Sequence, residues 1–505
     1  MFLCVFAAQS GFARDPEIEI RRNVPGTLLY PMKGHTPLGI HRGTPYWLEV
    51  LTGGKTKFSL PRDLAVTRLK STDKESDPWD DILVSVYGIN SGRGEIIYNV
   101  GNTRLKVFGK EGTRPGEFKN PVGIAASPDG RVLVADTGNN RVQELYDDGK
   151  GLKFVKILYP ANSPLPNPTT PSFPAGGFVG QAPPPEGGRE FNPNYLALDA
   201  AGGVFVSDTG NGRLIHLDKD GKNLKVLWKG SGKPLGVAYA EAALEWYFPE
   251  NPALFLVVEG EGEWRLLRLE PDSGKVLRST VLPKEGGPYA AMELDYQGHA
   301  WVVDSGLCRI LKYSPDLEFL DAVGSKGSGD YRFESPAGLA IWRRFGQVFV
   351  SEKEGAHYFW VGADALNPKI EFSKDQKQAV ISFRLTERAL VRADWVKGEG
   401  KKQTVVSALA LTEMLEGEQK LVVSAPPESP PSEATAGTGT KIVPVPTGQG
   451  FTAGTGTKGV PVPTGRERGR VDGWSLRLRV MATYSSRERM EKEVLVPMGD
   501  EKVAN

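Results

Sequence analysis

The stretch V-A-D-T-G-N-N-R-V, Val134–Val142, decides how this chain is read, because it returns twice in altered form. Val206–Leu214 reads V-S-D-T-G-N-G-R-L, and Val302–Ile310 reads V-V-D-S-G-L-C-R-I. Each time an apolar run ends on an Asp, a Gly follows two residues on, and an Arg five on opens a second run. An Asp at a strand end accepts backbone N–H bonds across a tight turn, and Gly supplies the unusual φ. The returning Arg then pairs with a carboxylate. The pattern is therefore expected to be a strand–turn–strand marker, with Asp136, Arg141, Asp208, Arg213, Asp304 and Arg309 in structural roles. A calcium loop would need more oxygen ligands at its third and fifth positions than D-T-G-N-N or D-S-G-L-C offers.

Outward from the turns, a second element recurs. It is a Pro followed by small or apolar residues: P-R-D-L-A (Pro61), P-V-G-I-A (Pro121), P-N-Y-L-A (Pro193), P-L-G-V-A (Pro234), P-Y-A-A-M (Pro288) and P-A-G-L-A (Pro336). After each comes another apolar run: Ile82–Val84, Val132–Val134, Val204–Val206, Leu254–Val258, Ala300–Val303 and Val348–Val350. A third run alternates apolar and polar residues, as in R-V-Q-E-L-Y and R-L-I-H-L-D, which marks half-buried strands. A fourth, such as Leu224–Trp228, closes the unit. Four short antiparallel strands in roughly 40–50 residues make a propeller blade. Six units predict an all-β, six-bladed β-propeller. Blades four and six place Glu259 and Glu352 at the Asp position, followed by Arg265 and His357, and Val86 is expected there in blade one.

The run G-E-F-K-N-P-V-G-I-A-A-S-P-D-G-R-V-L-V-A-D-T-G-N-N-R-V-Q, Gly116–Gln143, resembles the NHL-repeat family, in particular its secreted bacterial type. The resemblance extends over Pro61–Phe372. It implies a disc of blades around a central channel, each innermost strand beginning at the Pro element. A ring-closing strand is expected at Tyr46–Leu51 within a lead of residues 15–60, and the propeller over 61–373. A Pro-rich insertion at 160–190 interrupts it. Residues 374–500 alternate as strands and are similar to the Ig-like domain of flagellar hook-capping proteins, with V-D-G-W at Val471–Trp474. That small Ig-like β-sandwich carries a low-complexity insertion at 425–470. It contains the tandem copies Ala436–Gly448 and Ala453–Gly465.

Composition narrows the function classes. Lys+Arg 62 against Asp+Glu 61 leaves a formal charge of +1, which gives no electrostatic pull toward nucleic acid. Met1–Arg14 is apolar and ends in small residues like a signal peptide. Its removal would leave Cys308 without Cys4 as a disulfide partner. No apolar run approaches the ~20 residues of a transmembrane helix.

No H-E-x-x-H, G-x-S-x-G, P-loop or dinucleotide motif is present. Some secreted NHL propellers are zinc lyases with histidines gathered at the channel. Here His216, His299 and His357 fall at different depths of their blades, and His35 and His41 precede the propeller. No catalytic residue, metal ligand or cofactor is therefore expected. Function tends to be grafted where a symmetric scaffold becomes asymmetric. Arg62, Asp63, Asn194, Tyr195 and Tyr289, just after their prolines, are the expected ligand-binding residues at the channel mouth. The expected function is a non-catalytic extracytoplasmic binding or scaffolding module for a protein or glycan partner. The alternative is a metal-assisted lyase or hydrolase at the channel mouth, and a third reading is an RNA-binding propeller.

Overall fold

The computed structural model describes residues 18–21, 24–31, 41–52, 57–73, 84–99, 105–158, 191–244, 247–398, 403–427, 474–483 and 489–497. The signal-like start, the insertion at 160–190, the tandem copies at 436–465 and His35 lie outside the described residues. The chain forms two compact units. One holds Leu28–Val361, the other Phe12–Thr27 with Gly362–Asn505.

In the first unit six meander sheets follow one another. Blade 2 shows the logic. Its second strand, Arg131–Asp136, is buried throughout, as a continuous apolar run between two neighbours should be. The third, Arg141–Asp147, alternates, and the fourth, Leu152–Leu158, faces solvent with every second residue. Apolar layers fill the space between adjacent blades. Ile96, Tyr98, Val132 and Val134 pack together between blades 1 and 2, and Leu133, Ala135, Val204 and Val206 between blades 2 and 3. The innermost strands neighbour one another in order, from Pro61–Thr67 through Ile124–Ala126, Pro193–Leu198, Lys233–Ala240 and Tyr289–Leu294 to Gly338–Trp342, which returns to Pro61–Thr67.

The ring closes differently from the expectation. Tyr46–Leu51 lies in a helix, Pro45–Thr52. Pro at the first helical position, Thr44 Oγ1 accepting from the Trp47 amide (3.4 Å), and Trp47, Val50 and Leu51 at helical spacing explain why. Blade 6 is closed instead by two shorter N-terminal pieces. Leu28 and Leu29 pair with Val361 and Trp360, and Arg42 and Gly43 pair with His357 and Ala356.

Blade 1 also corrects its assignment. Its second strand is Ser85–Asn90, and Pro61 faces Asn90 as Pro193 faces Asp208. The Asp position is therefore Asn90, not Val86. Polarity is exchanged across this turn: Glu95 stands where Arg is found elsewhere and accepts from Asn90 Nδ2 at 3.2 Å. An Asn for Asp and a Glu for Arg erased the signature. In blade 4 Arg265 bonds Glu263 (2.5 Å), leaving Glu259 to the exposed Lys233 at 3.2 Å.

The second unit is a two-sheet sandwich around one core. One sheet runs in the order Ile18–Arg21, Arg489–Pro497, Trp474–Ala482, Ala389–Lys397, Thr404–Met414, and the other in the order Ala365–Phe372, Gln378–Leu385, Gly417–Ser424. Trp395 is buried with its indole N–H on the Ser424 carbonyl (2.9 Å), one sheet to the other, and Trp474 of V-D-G-W is buried beside it in the core. Ala365–Phe372 pairs inside this sandwich, so the unit begins at Gly362 rather than at 374. No helix among the described residues is long and apolar enough to cross a membrane.

Candidate functional site

The repeated turn comes first, because its chemistry is fully used in construction. In blade 2 Asp136 is completely buried. It accepts the Lys119 amide (2.7 Å), Asn139 Nδ2 (2.9 Å), Arg141 Nε (2.7 Å) and Gln143 Nε2 (2.9 Å). Arg141 spends its remaining donors on the Thr113, Arg114 and Glu117 carbonyls. Arg213 and Arg309 repeat the pairing with Asp208 and Asp304 at 2.7 and 2.8 Å. The residue after the Asp ties each blade to the next. Thr137, Thr209 and Ser305 donate at 2.6 Å to the carbonyls of Pro193, Pro234 and Pro336. Two motifs that seemed separate in the sequence are thus joined across every such blade boundary.

In blade 6 the same site is assembled from two distant segments. Glu352 Oε2 accepts the Glu334 amide (2.6 Å), while His357, in the Arg position, approaches Oε1 at 3.0 Å. The missing guanidinium comes from Arg42, whose Nε donates to Glu352 Oε1 at 2.5 Å. Its Nη1 donates to the Ser328 carbonyl (3.1 Å), five residues before Phe333, as Arg141 Nη1 does to Thr113, five before Phe118. Burial raises the Glu352 carboxyl, but the His357 bond and the Glu334 amide outweigh it and hold it below its ordinary range.

The asymmetric chemistry lies inside the ring. The six innermost strands line one cavity of about 140 Å³. At the second position after each Pro, blades 2, 4 and 6 carry Gly123, Gly236 and Gly338. A Cβ at these would collide with the carbonyls of Asn194, Ala290 and Arg62 respectively. Glycine there lets the inner strands approach in pairs, and Asp63 and Tyr195 occupy that level in blades 1 and 3. Both are almost fully buried, at 7% and 5% exposure, and both line the cavity. Asp63 Oδ2 accepts the Ile124 amide at 3.2 Å. Burial pushes the Asp63 carboxyl up to about 8, and the charge of Glu293 adds to it. Burial also raises the Tyr195 phenol, with the Asp63 charge acting in the same direction and Arg62 against it. Further along, Arg343 donates to Glu293 Oε1 (3.2 Å) and to the carbonyls of Leu294 (3.1 Å) and Tyr239 (3.4 Å).

A carboxyl raised in the folded state binds its proton more tightly there than in the unfolded chain. Its contribution is therefore fully present below about pH 4 and lost as pH rises through about 8. Asp63→Asn is expected to flatten the fall in stability between those limits, read as urea midpoints across the range. An unchanged slope would place the titration elsewhere.

Of the expected mouth residues, Arg62, Asp63 and Tyr195 come together, Arg62 on the exposed side. Asn194 turns to Asn192, bonding its carbonyl and side chain. Tyr289 is not at the mouth. It is fully buried between blades 4 and 5, edge-on to Trp264, with its hydroxyl on the Pro283 carbonyl (2.7 Å). An aromatic following Pro on an inner strand packs sideways into the blade interface as readily as into the channel. Glu293 and Arg343 were missed, although a carboxylate inside the apolar Y-A-A-M-E-L run was a readable signal.

Of the four described histidines His41 stacks on Tyr30 (ring centroids 4.4 Å), and the three in the repeat each meet a carboxylate. His216 meets Asp199 at 2.7 Å, His299 meets Asp295 at 2.9 Å, and His357 meets Glu352. They sit in blades 3, 5 and 6, each against a carboxylate of its own blade. Burial raises Asp199, but its His216 bond and the Gly203 amide hold it below the ordinary range.

Residues 118–145 match the NHL repeat family. Over 45 residues, 9% of this chain, the sequence is 51% identical to Protein lin-41 of Caenorhabditis elegans, and the match spans 4% of that protein's length. Similar solved structures include virginiamycin B lyase from Staphylococcus aureus (TM-score 0.36, 14% identity, 55% of this chain and 76% of that one). A gluconolactonase from Xanthomonas campestris is another (TM-score 0.40, 11% identity, 67% and 97%). So is the calcium-binding protein regucalcin from Agrobacterium tumefaciens (TM-score 0.38, 12% identity, 68% and 95%). The chain thus carries an NHL repeat, at residues 118–145 in the second blade of its β-propeller.

Proposed function

We propose that this chain is a non-catalytic, extracytoplasmic binding or scaffolding module for a protein or glycan partner, with the central cavity of its propeller as the ligand site. One observation carries the reading. The repeated Asp–Arg turns are consumed by blade construction, whereas the polar groups of the cavity are not repeated: Asp63, Tyr195, Glu293 and Arg343 come from four different blades. Asymmetry on a repeating scaffold is where recognition is built. The metal-assisted alternative asks for imidazoles at one point, and His216, His299 and His357 are held singly in separate blades.

The test is a screen of the full chain against peptide and glycan arrays, with Asp63→Asn and Arg62→Ala alongside. A specific ligand class lost in Asp63→Asn supports the proposal. Hits that survive both substitutions move the site away from the cavity. Stoichiometric zinc in the purified protein together with turnover would replace the proposal by the lyase reading. Retention of RNA on filters at physiological salt would replace it by the third. Export is checked by the N-terminus of mature protein recovered outside the cytoplasm.

A further inference from the structure

Resting on the reading above, we infer that the propeller cavity is a receptor for a primary alkylammonium group, such as the side chain of a partner's lysine, with Asp63 as its counterion. Two polar groups on the cavity wall lack side-chain partners among the described residues. Tyr195 is 95% buried by its 5% exposure, lines the cavity, and its hydroxyl has no hydrogen-bond partner among the described residues. Asp63 beside it accepts the Ile124 amide on Oδ2 and the Leu64 amide, and no cationic side chain is paired with it among the described residues. A buried carboxyl without a cation is costly, and an arriving ammonium relieves that cost.

The guanidinium that lines the cavity does not fill the role. Arg343 is occupied by Glu293 and by the Leu294 and Tyr239 carbonyls. The cavity wall also carries aliphatic side chains, Leu64, Ile124, Leu196, Val237 and Leu339. Such a wall suits the methylene stem that carries an ammonium head.

The geometry also separates ammonium from other cations. A guanidinium binds best as a planar fork across both carboxylate oxygens, and one oxygen of Asp63 already serves Ile124. A compact ammonium takes single acceptors in several directions, which Asp63 and the Tyr195 hydroxyl provide. A metal ion would need several converging ligand atoms. Among the described residues no trio of carboxylate, imidazole or thiol ligands within this cavity lies within 4.8 Å of one another.

The experiment is calorimetric titration of the full chain near pH 8.5 with n-pentylamine and with Nα-acetyl-lysine methylamide, against n-pentanol and n-butylguanidine. Both amines are expected to bind at least about tenfold more tightly than the alcohol and the guanidine, since an unmatched charge loses that much. Asp63→Asn abolishes the binding, and Tyr195→Phe weakens it by about threefold to tenfold. Binding near pH 7 releases a proton from Asp63, seen as heats that depend on the buffer's ionisation enthalpy. Amine binding without the lysine derivative supports the ammonium site and identifies a free amine as its source.

Pentanol binding as tightly as pentylamine, or calcium displacing the amine, overturns the inference. If Asp63→Asn does not fold, absence of proton release in the unaltered protein overturns it equally. A partner from the arrays that stays bound at saturating pentylamine leaves the binding-module reading standing and this inference fallen.

Discussion

Asp136→Ala is expected to destabilise the propeller by about 3–5 kcal/mol, because it leaves Arg141 buried and uncompensated. Arg141 is 3% exposed and cannot reach water without tearing the loop carbonyls of Thr113, Arg114 and Glu117 from their donors. The same alteration also frees the Lys119 amide and one N–H of Gln143 Nε2, whose other N–H stays on the Glu117 carbonyl. The equivalent substitution in blade 4, Glu259→Ala, should cost under about 1 kcal/mol, as surface ion pairs generally do. Its partner Lys233 is 65% exposed at the side chain. Because the chain has two compact units, the measurement is the urea transition of the propeller, separated from the sandwich by hydrogen exchange of peptides in each. Equal losses at the two positions would show that the turn carboxylates act through something other than their buried Arg.

Arg42→Ala opens the ring at the blade closed by N-terminal pieces, with an expected loss of about 1.5–3 kcal/mol for a charge-assisted, part-buried bond. The decisive result is rescue. Arg42→Ala combined with His357→Arg places a guanidinium five residues after Glu352, the arrangement found in blades 2, 3 and 5. It should recover at least half of the loss. The exchange replaces the His357 bond to Glu352 (3.0 Å) by the guanidinium's, and the His357 Nδ1 is buried with no hydrogen-bond partner among the described residues.

The pH dependence has the opposite sign to that of Asp63. Glu352 is held below its ordinary value in the fold, so its contribution is present above about 4.5 and is lost as pH falls. The stability lost in Arg42→Ala should therefore be full above that value and shrink as pH falls, read as urea midpoints of both proteins across the range. A double variant no better than Arg42→Ala would mean that the strand Arg42–Gly43 closes the blade by backbone pairing alone.

Comparison of the blades explains what was legible. Blades 2, 3 and 5 were readable because turn chemistry is local: Asp, Gly and Arg act within six residues of one another. Blade 1 hid because its Asn90 and Glu95 carry the same hydrogen bonds with polarity exchanged. Tyr46–Leu51 was misread because its apolar residues suit a helix as well as a strand. The T-P boundary residues Thr44 and Pro45 were the clue. The cavity was half legible. Arg62, Asp63 and Tyr195 stood out as irregular residues in a regular position, while Arg343 follows its strand and reaches Glu293 only through the curvature of the ring.

By itself the sequence determined the β-meander and the register of blades 2, 3 and 5, since turns and strand alternation depend on near neighbours. Only the tertiary structure decided that Arg42 serves Glu352 across 310 residues, that Tyr289 faces a blade interface, and that Asp63, Tyr195 and Glu293 share one buried space. Those facts depend on ring closure, where residues distant in the chain meet because six twisted sheets return to their starting point.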